Sequence, residues 1–145
     1  RNTFGQGQIF WGLPLAEVLE QLKIEKDFYY TAEQQDATIH FAHKKIQDSE
    51  FYFVSNHKRR KEKVFCSFRV SGLVPELWDS ETGEVTTTIL YEIKEGRVNI
   101  TLEFEPAGAY FVVFKKGNSL AKFQSVAKDG QVLLSLKSFD KQADK

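Results

Sequence analysis

The residues of this sequence that could do chemistry are its carboxylates, its histidines, its one cysteine and several aromatic side chains. Hydrolysis of a glycosidic bond needs two carboxylates that face each other across the bond, about 5–10 Å apart. The acidic residues fall mostly in turn-like stretches, as Asp79, Glu81 and Glu84 do, where such side chains are usually solvated. The polar residues that a pocket would need are scattered. We therefore expect no catalytic pair within this chain.

The sequence also gives little support for a metal or a nucleophile. The stretch 79–84 lacks the ligand spacing and flanking helices of a calcium loop, so a hairpin turn is the better interpretation. His40 and His43 lie three apart on an expected strand, which places them on opposite faces, and His57 adds no ligand spacing. We expect His43 at the core edge, holding a backbone group. Cys66 alternates with apolar neighbours, which predicts a buried side chain. No cofactor or metal is predicted.

Aromatic side chains could stack on the faces of sugars. The candidates for carbohydrate contact are Trp78, Tyr52 and Trp11. Trp78 directly precedes a turn, and its pattern fits either core packing or a platform at the rim of a sheet.

Charge and hydropathy exclude two classes of partner. Twenty basic residues balance twenty acidic ones, whereas a dedicated nucleic-acid binder normally carries a basic excess. The basic cluster 56–63 lacks interleaved aromatic residues and is predicted to be a solvated hairpin loop. No apolar run approaches the ~20 residues that span a bilayer. We expect neither nucleic-acid binding nor membrane insertion.

The elements that must position these residues are mostly short strands. Apolar side chains alternate with period two, and turn signals recur every ten residues or so. This pattern predicts an antiparallel β-sandwich, jelly-roll-like or galactose-binding-domain-like, with a closed barrel as the alternative. The predicted strands are 38–44, 50–55, 64–70, 76–78, 85–93, 98–104, 109–115, 122–127 and 131–137.

The first thirty residues differ from the rest. A short apolar extended stretch, 5–12, precedes Pro14, and apolar residues then follow at helical spacing to about Lys23. We predict a strand–helix appendage over 1–30, which could be the tail of a preceding domain, then a sandwich over 31–140 and a frayed tail over 141–145. The chain contains no Met and starts at Arg1, so we expect it to be part of a longer protein.

Several blocks of sequence resemble one known family. They are Phe51–Asn56, 68–72 and 75–83, with further matches at 43–45, 96–98 and 108–114. Their order and spacing resemble the β-sandwich region that follows the catalytic barrel in alpha-L-rhamnosidase-like large glycoside hydrolases (family 106) of Bacteroidetes. Lys44 and Lys45 depart from the arginines of the family pattern, which puts any bidentate carboxylate contact there in doubt.

The resemblance implies a role for the chain within a larger enzyme. In the family, the catalytic carboxylates and calcium ligands belong to the barrel, so none is carried over to this chain. The expected function is a non-catalytic accessory module of a secreted hydrolase of plant polysaccharide, packed on the catalytic and neighbouring domains. The alternatives are an independent carbohydrate-binding module and a protein-interaction or cell-surface attachment domain. The implied location is the periplasm, the cell surface or the medium.

Overall fold

The computed structural model of the chain describes residues 2–87, 89–117, 125–128 and 131–135. Within these ranges the chain forms one short helix and thirteen strands. Their bounds are β1 (Asn2–Phe4), β2 (Gly7–Ile9), α1 (Leu15–Gln21), β3 (Phe28–Ala32), β4 (Ile39–Ile46), β5 (Ser49–Asn56), β6 (Glu62–Phe68), β7 (Val74–Asp79), β8 (Val85–Thr86), β9 (Tyr91–Lys94), β10 (Arg97–Phe104), β11 (Ala109–Lys115), β12 (Ser125–Lys128) and β13 (Gln131–Ser135).

Two antiparallel sheets form the body of the molecule. One has four strands in the order β3-β6-β10-β9, and the other has five in the order β4-β5-β11-β7-β8. The registers place Ile100 opposite Cys66 in the first sheet and Tyr52 opposite Val112 in the second. Because no ladder joins the two sheets within the described residues, the fold is an open sandwich rather than a closed barrel, which confirms the predicted fold class.

The core lies between the inner faces of the two sheets. Its largest fully buried side chains are Tyr52, Phe68, Phe104 and Phe114. Tyr52 meets Phe68 edge-on with ring centroids 4.9 Å apart, and Phe68 meets Phe114 at 5.2 Å. Burying a side chain of this size stabilises the fold by about 1.5–3 kcal/mol. These rings therefore supply much of the free energy that holds the sheets together.

Residues 2–24, which we call the appendage, extend from this body. β1 and β2 pair with each other, and α1 follows directly after Pro14 and contains no buried residue. The predicted boundary at residue 30 lies within a strand, since β3 begins at Phe28 and pairs with β6. Phe28 and Tyr30 face the core beside Phe68 and Cys66, so the sandwich includes them.

Two other predictions differ from the structure. The predicted strand 85–93 is divided into β8, which pairs with β7, and β9, which pairs with β10 in the other sheet. The loop after Asn56 likewise connects β5 of one sheet to β6 of the other, so it crosses between the sheets and is not a hairpin. In both places the local sequence pattern does not show that the chain passes from one sheet to the other.

At the C-terminal end, β12 pairs antiparallel with β13, with Lys128 opposite Gln131, as the predicted hairpin requires. Residues 129–130 and the predicted tail 141–145 lie outside the described residues. No helix in the described ranges has the length and apolarity needed to cross a bilayer.

Candidate functional site

A network of charged side chains surrounds His43 at one rim of the sandwich. His43 lies on the core-facing side of β4, and its Nδ1 is 2.8 Å from Asp27 Oδ2, just before β3. Its Nε2 is 2.8 Å from Glu50 Oε2 on β5. When both ring nitrogens carry a proton, both contacts are charge-assisted hydrogen bonds. The imidazole thus joins the start of the four-stranded sheet to the five-stranded sheet.

Three more residues complete the His43 network. The Tyr52 hydroxyl donates to Asp27 Oδ1 at 3.1 Å, and the Tyr52 ring stacks on the imidazole with centroids 4.0 Å apart. Arg69 Nη2 lies 3.4 Å from Asp27 Oδ1. Lys45 Nζ lies 2.9 Å from Glu50 Oε1, a single contact where an arginine could form two. The network consists of Asp27, His43, Lys45, Glu50, Tyr52 and Arg69.

The protonation states follow from these contacts. Partial burial acts to raise the pKa of Glu50, but the hydrogen bonds from Lys45 and His43 outweigh it and leave the pKa below its usual value. Burial, followed by the charge of Asp27, raises the pKa of Tyr52, so its hydroxyl stays protonated. A glycosidase acid needs a raised carboxyl pKa, which Glu50 lacks. The expectation that His43 holds a backbone group was wrong, because it holds two carboxylates.

An open groove of about 280 Å³ lies beside this network. Lys45, Glu50 and Arg69 form part of its wall, together with Asp48 and Lys116. Lys116 Nζ pairs with Asp48 at 2.6 Å, as Lys45 pairs with Glu50. The charged side chains around the groove therefore pair largely with one another.

A buried arginine holds the chain just before β3. Arg97 is 8% exposed and donates from Nη1 to the Lys26 carbonyl at 2.9 Å and from Nη2 to the Asp27 carbonyl at 3.2 Å. Its Nε donates to Ser67 Oγ at 2.9 Å, and its guanidinium lies 4.7 Å from the centroid of the Tyr29 ring. The sequence pattern did not predict this role, although an arginine directly before the alternating apolar residues of β10 is a recognisable signal.

The outer face of the five-stranded sheet is rich in aromatic side chains. Phe53 and Phe111 pack at 4.9 Å between centroids, and Phe51 meets Trp78 edge-on at 6.3 Å. Phe111 remains 40% exposed. We call this surface, with its neighbour Val85, the outer aromatic face.

The three predicted carbohydrate contacts lie in different places. Trp11 is 62% exposed on the appendage, whereas Tyr52 is 0% exposed in the core and has no free ring face. Trp78 is partly buried on the outer aromatic face; its Nε1 donates to Glu76 at 2.9 Å, and Lys115 Nζ lies 4.8 Å from the ring centroid. The structure does not bring the three together.

The remaining candidates have local structural roles. Asp79 Oδ1 accepts the N–H groups of Glu81 at 2.9 Å and Thr82 at 2.7 Å, which confirms the turn. Cys66 is buried as predicted, and burial raises the pKa of its thiol. Asn99, in a glycosylation sequon, is 3% exposed within β10. Among the described residues, no three His, Cys, Asp or Glu side chains are grouped to hold a metal ion.

Comparison with known proteins adds to this geometry. The family model for alpha-L-rhamnosidase, glycoside hydrolase family 106, matches residues 1–93. The chain belongs to this family. It is 30% identical to the rhamnosidase from Novosphingobium sp. PP1Y, with a TM-score of 0.68 over 78% of this chain and 11% of that one. It is also 28% identical to a Formosa agariphila protein named "Putative beta-glucuronidase", over 70% of this chain and 8% of that protein.

The sequence blocks that resemble family 106 come together in the fold. Phe51–Asn56 lies in β5, 75–83 spans most of β7 and the turn after it, and 108–114 covers most of β11. These strands are neighbours, since β11 lies between β5 and β7. The chain spans about a tenth of the length of these relatives, so it corresponds to a small part of such a protein.

Proposed function

We propose that this chain is a non-catalytic accessory β-sandwich of a large, exported glycoside hydrolase that acts on plant polysaccharide, and that it packs on the catalytic domain. One observation carries this proposal. The two carboxylates that face each other at the rim, those of Asp27 and Glu50, are bridged by the ring of His43 at 2.8 Å on each side. The imidazole fills the space that a glycosidic bond and its attacking water would occupy.

The apolar surface of the appendage supports packing on another domain. Leu15 is 72% exposed and Trp11 is 62% exposed. Further large apolar side chains of the appendage are exposed as well: Ile9, Leu13, Leu19, Leu22 and Ile24. Exposed apolar side chains in such number are typical of a surface that meets another protein or domain, and a two-turn helix and a two-stranded hairpin are marginal without packing. The relatives are many times longer than this chain, and we expect the rest of such a polypeptide to supply the partner.

Turnover of an aryl rhamnoside by the chain alone tests the non-catalytic role. We expect no hydrolysis above background by the wild-type chain or by its Glu50→Gln variant. Turnover by the wild type that the variant loses would overturn the proposal. Fractionation of cells that produce the parent enzyme tests export, since the protein should appear outside the cytoplasm.

Association with the rest of the enzyme tests the packing. The parent polypeptide without residues 1–145 should bind the separate chain in analytical ultracentrifugation. A Leu15→Glu, Leu19→Glu variant should lose binding, because both side chains are exposed on α1. A Glu17→Gln, Glu20→Gln variant on the same helix is the matched control and should still bind. Equal binding by all three proteins would contradict packing through the appendage.

Carbohydrate binding is the second candidate, and the outer aromatic face is the observation that favours it. Sugars stack on aromatic rings, and Phe111 and Trp78 offer such rings on one sheet face. Isothermal titration with rhamnogalacturonan fragments should then show saturable heat that Trp78→Ala abolishes and Trp11→Ala does not. Absence of heat would count against carbohydrate binding through the outer aromatic face.

A further inference from the structure

We infer that residues 25–27 form a rigid joint, which fixes the direction in which the appendage leaves the sandwich. The appendage would then act as an arm with a set orientation, and whatever binds it would be held at a defined angle to both sheets. The inference concerns this chain alone, and it stands or falls independently of the proposed function.

The first fixed point is the C-terminal end of α1. Lys23 adopts a left-handed conformation, with φ of 55°, and its N–H donates to the Glu20 carbonyl at 2.9 Å. The N–H of Ile24 reaches back to the Leu19 carbonyl at 2.9 Å. This pair of bonds is a Schellman motif, which closes the helix and sets the course of the chain through Ile24.

The second fixed point is the backbone of Lys26 and Asp27. Arg97 binds both of their carbonyls, and the same guanidinium donates to the Ser67 carbonyl at 3.1 Å. The Asp27 carbonyl also accepts the N–H of Arg69 at 2.9 Å. These partners belong to β6, β10 and the residue after β6. They hold the main chain itself, so rotation of the Lys26 or Asp27 side chain cannot release it.

The side chain of Asp27 also contacts the five-stranded sheet. Its carboxylate contacts His43 of β4 and Tyr52 of β5, both in the five-stranded sheet. Asp27 is thus bound to both layers of the sandwich. Hydrogen bonds to a charged group contribute more than neutral ones, and the carboxylate is only partly exposed.

Only Ile24, Glu25 and Lys26 lie between the Ile24 N–H and the clamped Lys26 carbonyl. Each contributes two soft dihedral angles, so the path from the helix end to the clamped carbonyls is short. The segment 24–27 contains no glycine, whereas flexible linkers are rich in Gly and Ser. We therefore expect the appendage to keep its direction even though its apolar side chains are exposed.

Distance measurements between paired spin labels test the joint. Nitroxides are attached to cysteines that replace Glu20 on α1 and Thr86 on β8, both exposed residues. The native Cys66 is buried and should stay unlabelled. We expect a narrow distance distribution for the otherwise wild-type chain. Arg97→Met, which keeps length but removes the donors, should broaden it about twofold or more, as for a short flexible linker.

Two further variants keep the test decisive. Asp27→Asn retains the backbone contacts but weakens those to His43 and Arg69, and it should broaden the distribution to a smaller degree. If circular dichroism shows that Arg97→Met is unfolded, the distance distribution of Asp27→Asn alone decides whether the joint is rigid. Lys61→Gln removes a 2.7 Å ion pair with Glu105 away from the joint and should change nothing. A broad wild-type distribution, or a narrow one in both folded joint variants, would overturn the inference.

Discussion

His43 is held from both sides, and this explains why a polar ring lies at the edge of an aromatic core. Its ring stacks almost parallel on Tyr52, at 8° between planes, while its nitrogens meet Asp27 and Glu50. The stacking places the imidazole, and the carboxylates then satisfy its polar atoms. A buried or half-buried polar group costs free energy unless it is paired in this way.

Replacing His43 with leucine should therefore destabilise the chain. The variant has an apolar side chain of similar size but leaves two carboxylates without their shared donor. We expect a loss of about 2 kcal/mol in the free energy of unfolding, measured by urea denaturation at pH 7. Lys116→Gln removes an exposed ion pair with Asp48 and should change stability by no more than about 0.5 kcal/mol. Equal losses in the two variants would contradict a special role for His43.

Because several carboxylates are paired in the fold, the free energy of unfolding should decrease as the pH is lowered. The Lys115 ammonium lowers the pKa of Glu76 against the opposing effect of burial, with help from the Trp78 N–H. The pKa of Glu50 is lowered too, and Arg60 above all brings the pKa of Asp36 to about 2. A pKa lowered in the folded state adds stability above the unfolded value, and this is lost as pH falls through the folded value.

The urea midpoint should thus be similar at pH 7 and pH 6 and then fall from about pH 5 downward. Glu76→Gln should make that fall shallower, because one of the responsible groups no longer titrates. A midpoint that stayed constant or rose toward pH 3 would show that these ion pairs do not favour the folded state.

What the sequence predicted at this scale depends on the distance between partners. The Asp79 turn and the burial of Cys66 were predictable because their causes lie within a few residues. The bond from His43 in β4 to Asp27 just before β3 joins residues 16 apart, and the bond from Arg97 to Asp27 joins residues 70 apart. Neither can be inferred from local pattern, since each depends on which strands pair.

Among the elements, alternation of apolar residues predicted a strand well where the whole predicted segment stays in one sheet. β11 occupies 109–115 as predicted, and β10 begins one residue earlier than expected. The pattern failed over 85–93, where β8 and β9 pair in opposite sheets. β3 was missed although Phe28, Tyr30 and Ala32 alternate, because it is short and follows the helix closely. Alternation of apolar residues with period two indicates a β-strand, but it does not indicate which sheet that strand joins.

The β7–β8 turn offers a test at this scale. Gly83 has φ of 74°, and nothing lies within 4 Å of where a Cβ would be, so substitution strains only the backbone. Gly83→Ala should lower the free energy of unfolding by about 1 kcal/mol. Gly83→Asn should cost less, because Asn tolerates this conformation better. If thermal unfolding showed the same loss for both variants, contacts rather than backbone strain would be responsible.

For the whole molecule, the sequence pattern changes between the appendage and the strands that follow it. Glycine, proline and helical spacing marked 5–23 as different from the alternating strands that follow. The boundary itself depends on the pairing of β3 with β6 and on the grip of Arg97, which are long-range contacts. The sandwich therefore begins where its core and its buried arginine first hold the chain.

Truncation from the N-terminus should show this boundary. A chain that starts at Glu25 loses α1, none of whose residues is buried, and keeps the Arg97 contacts, so its melting temperature should stay within a few degrees of the wild type. A chain that starts at Tyr29 also loses Asp27 and Phe28, which leaves Arg97 and His43 short of partners and opens a cavity beside Phe68. It should lose several kcal/mol. Trp78 is the only tryptophan left in both truncated chains, so its fluorescence can follow their unfolding. Similar melting temperatures for the two truncated chains would mean that the sandwich does not begin at the clamped residues.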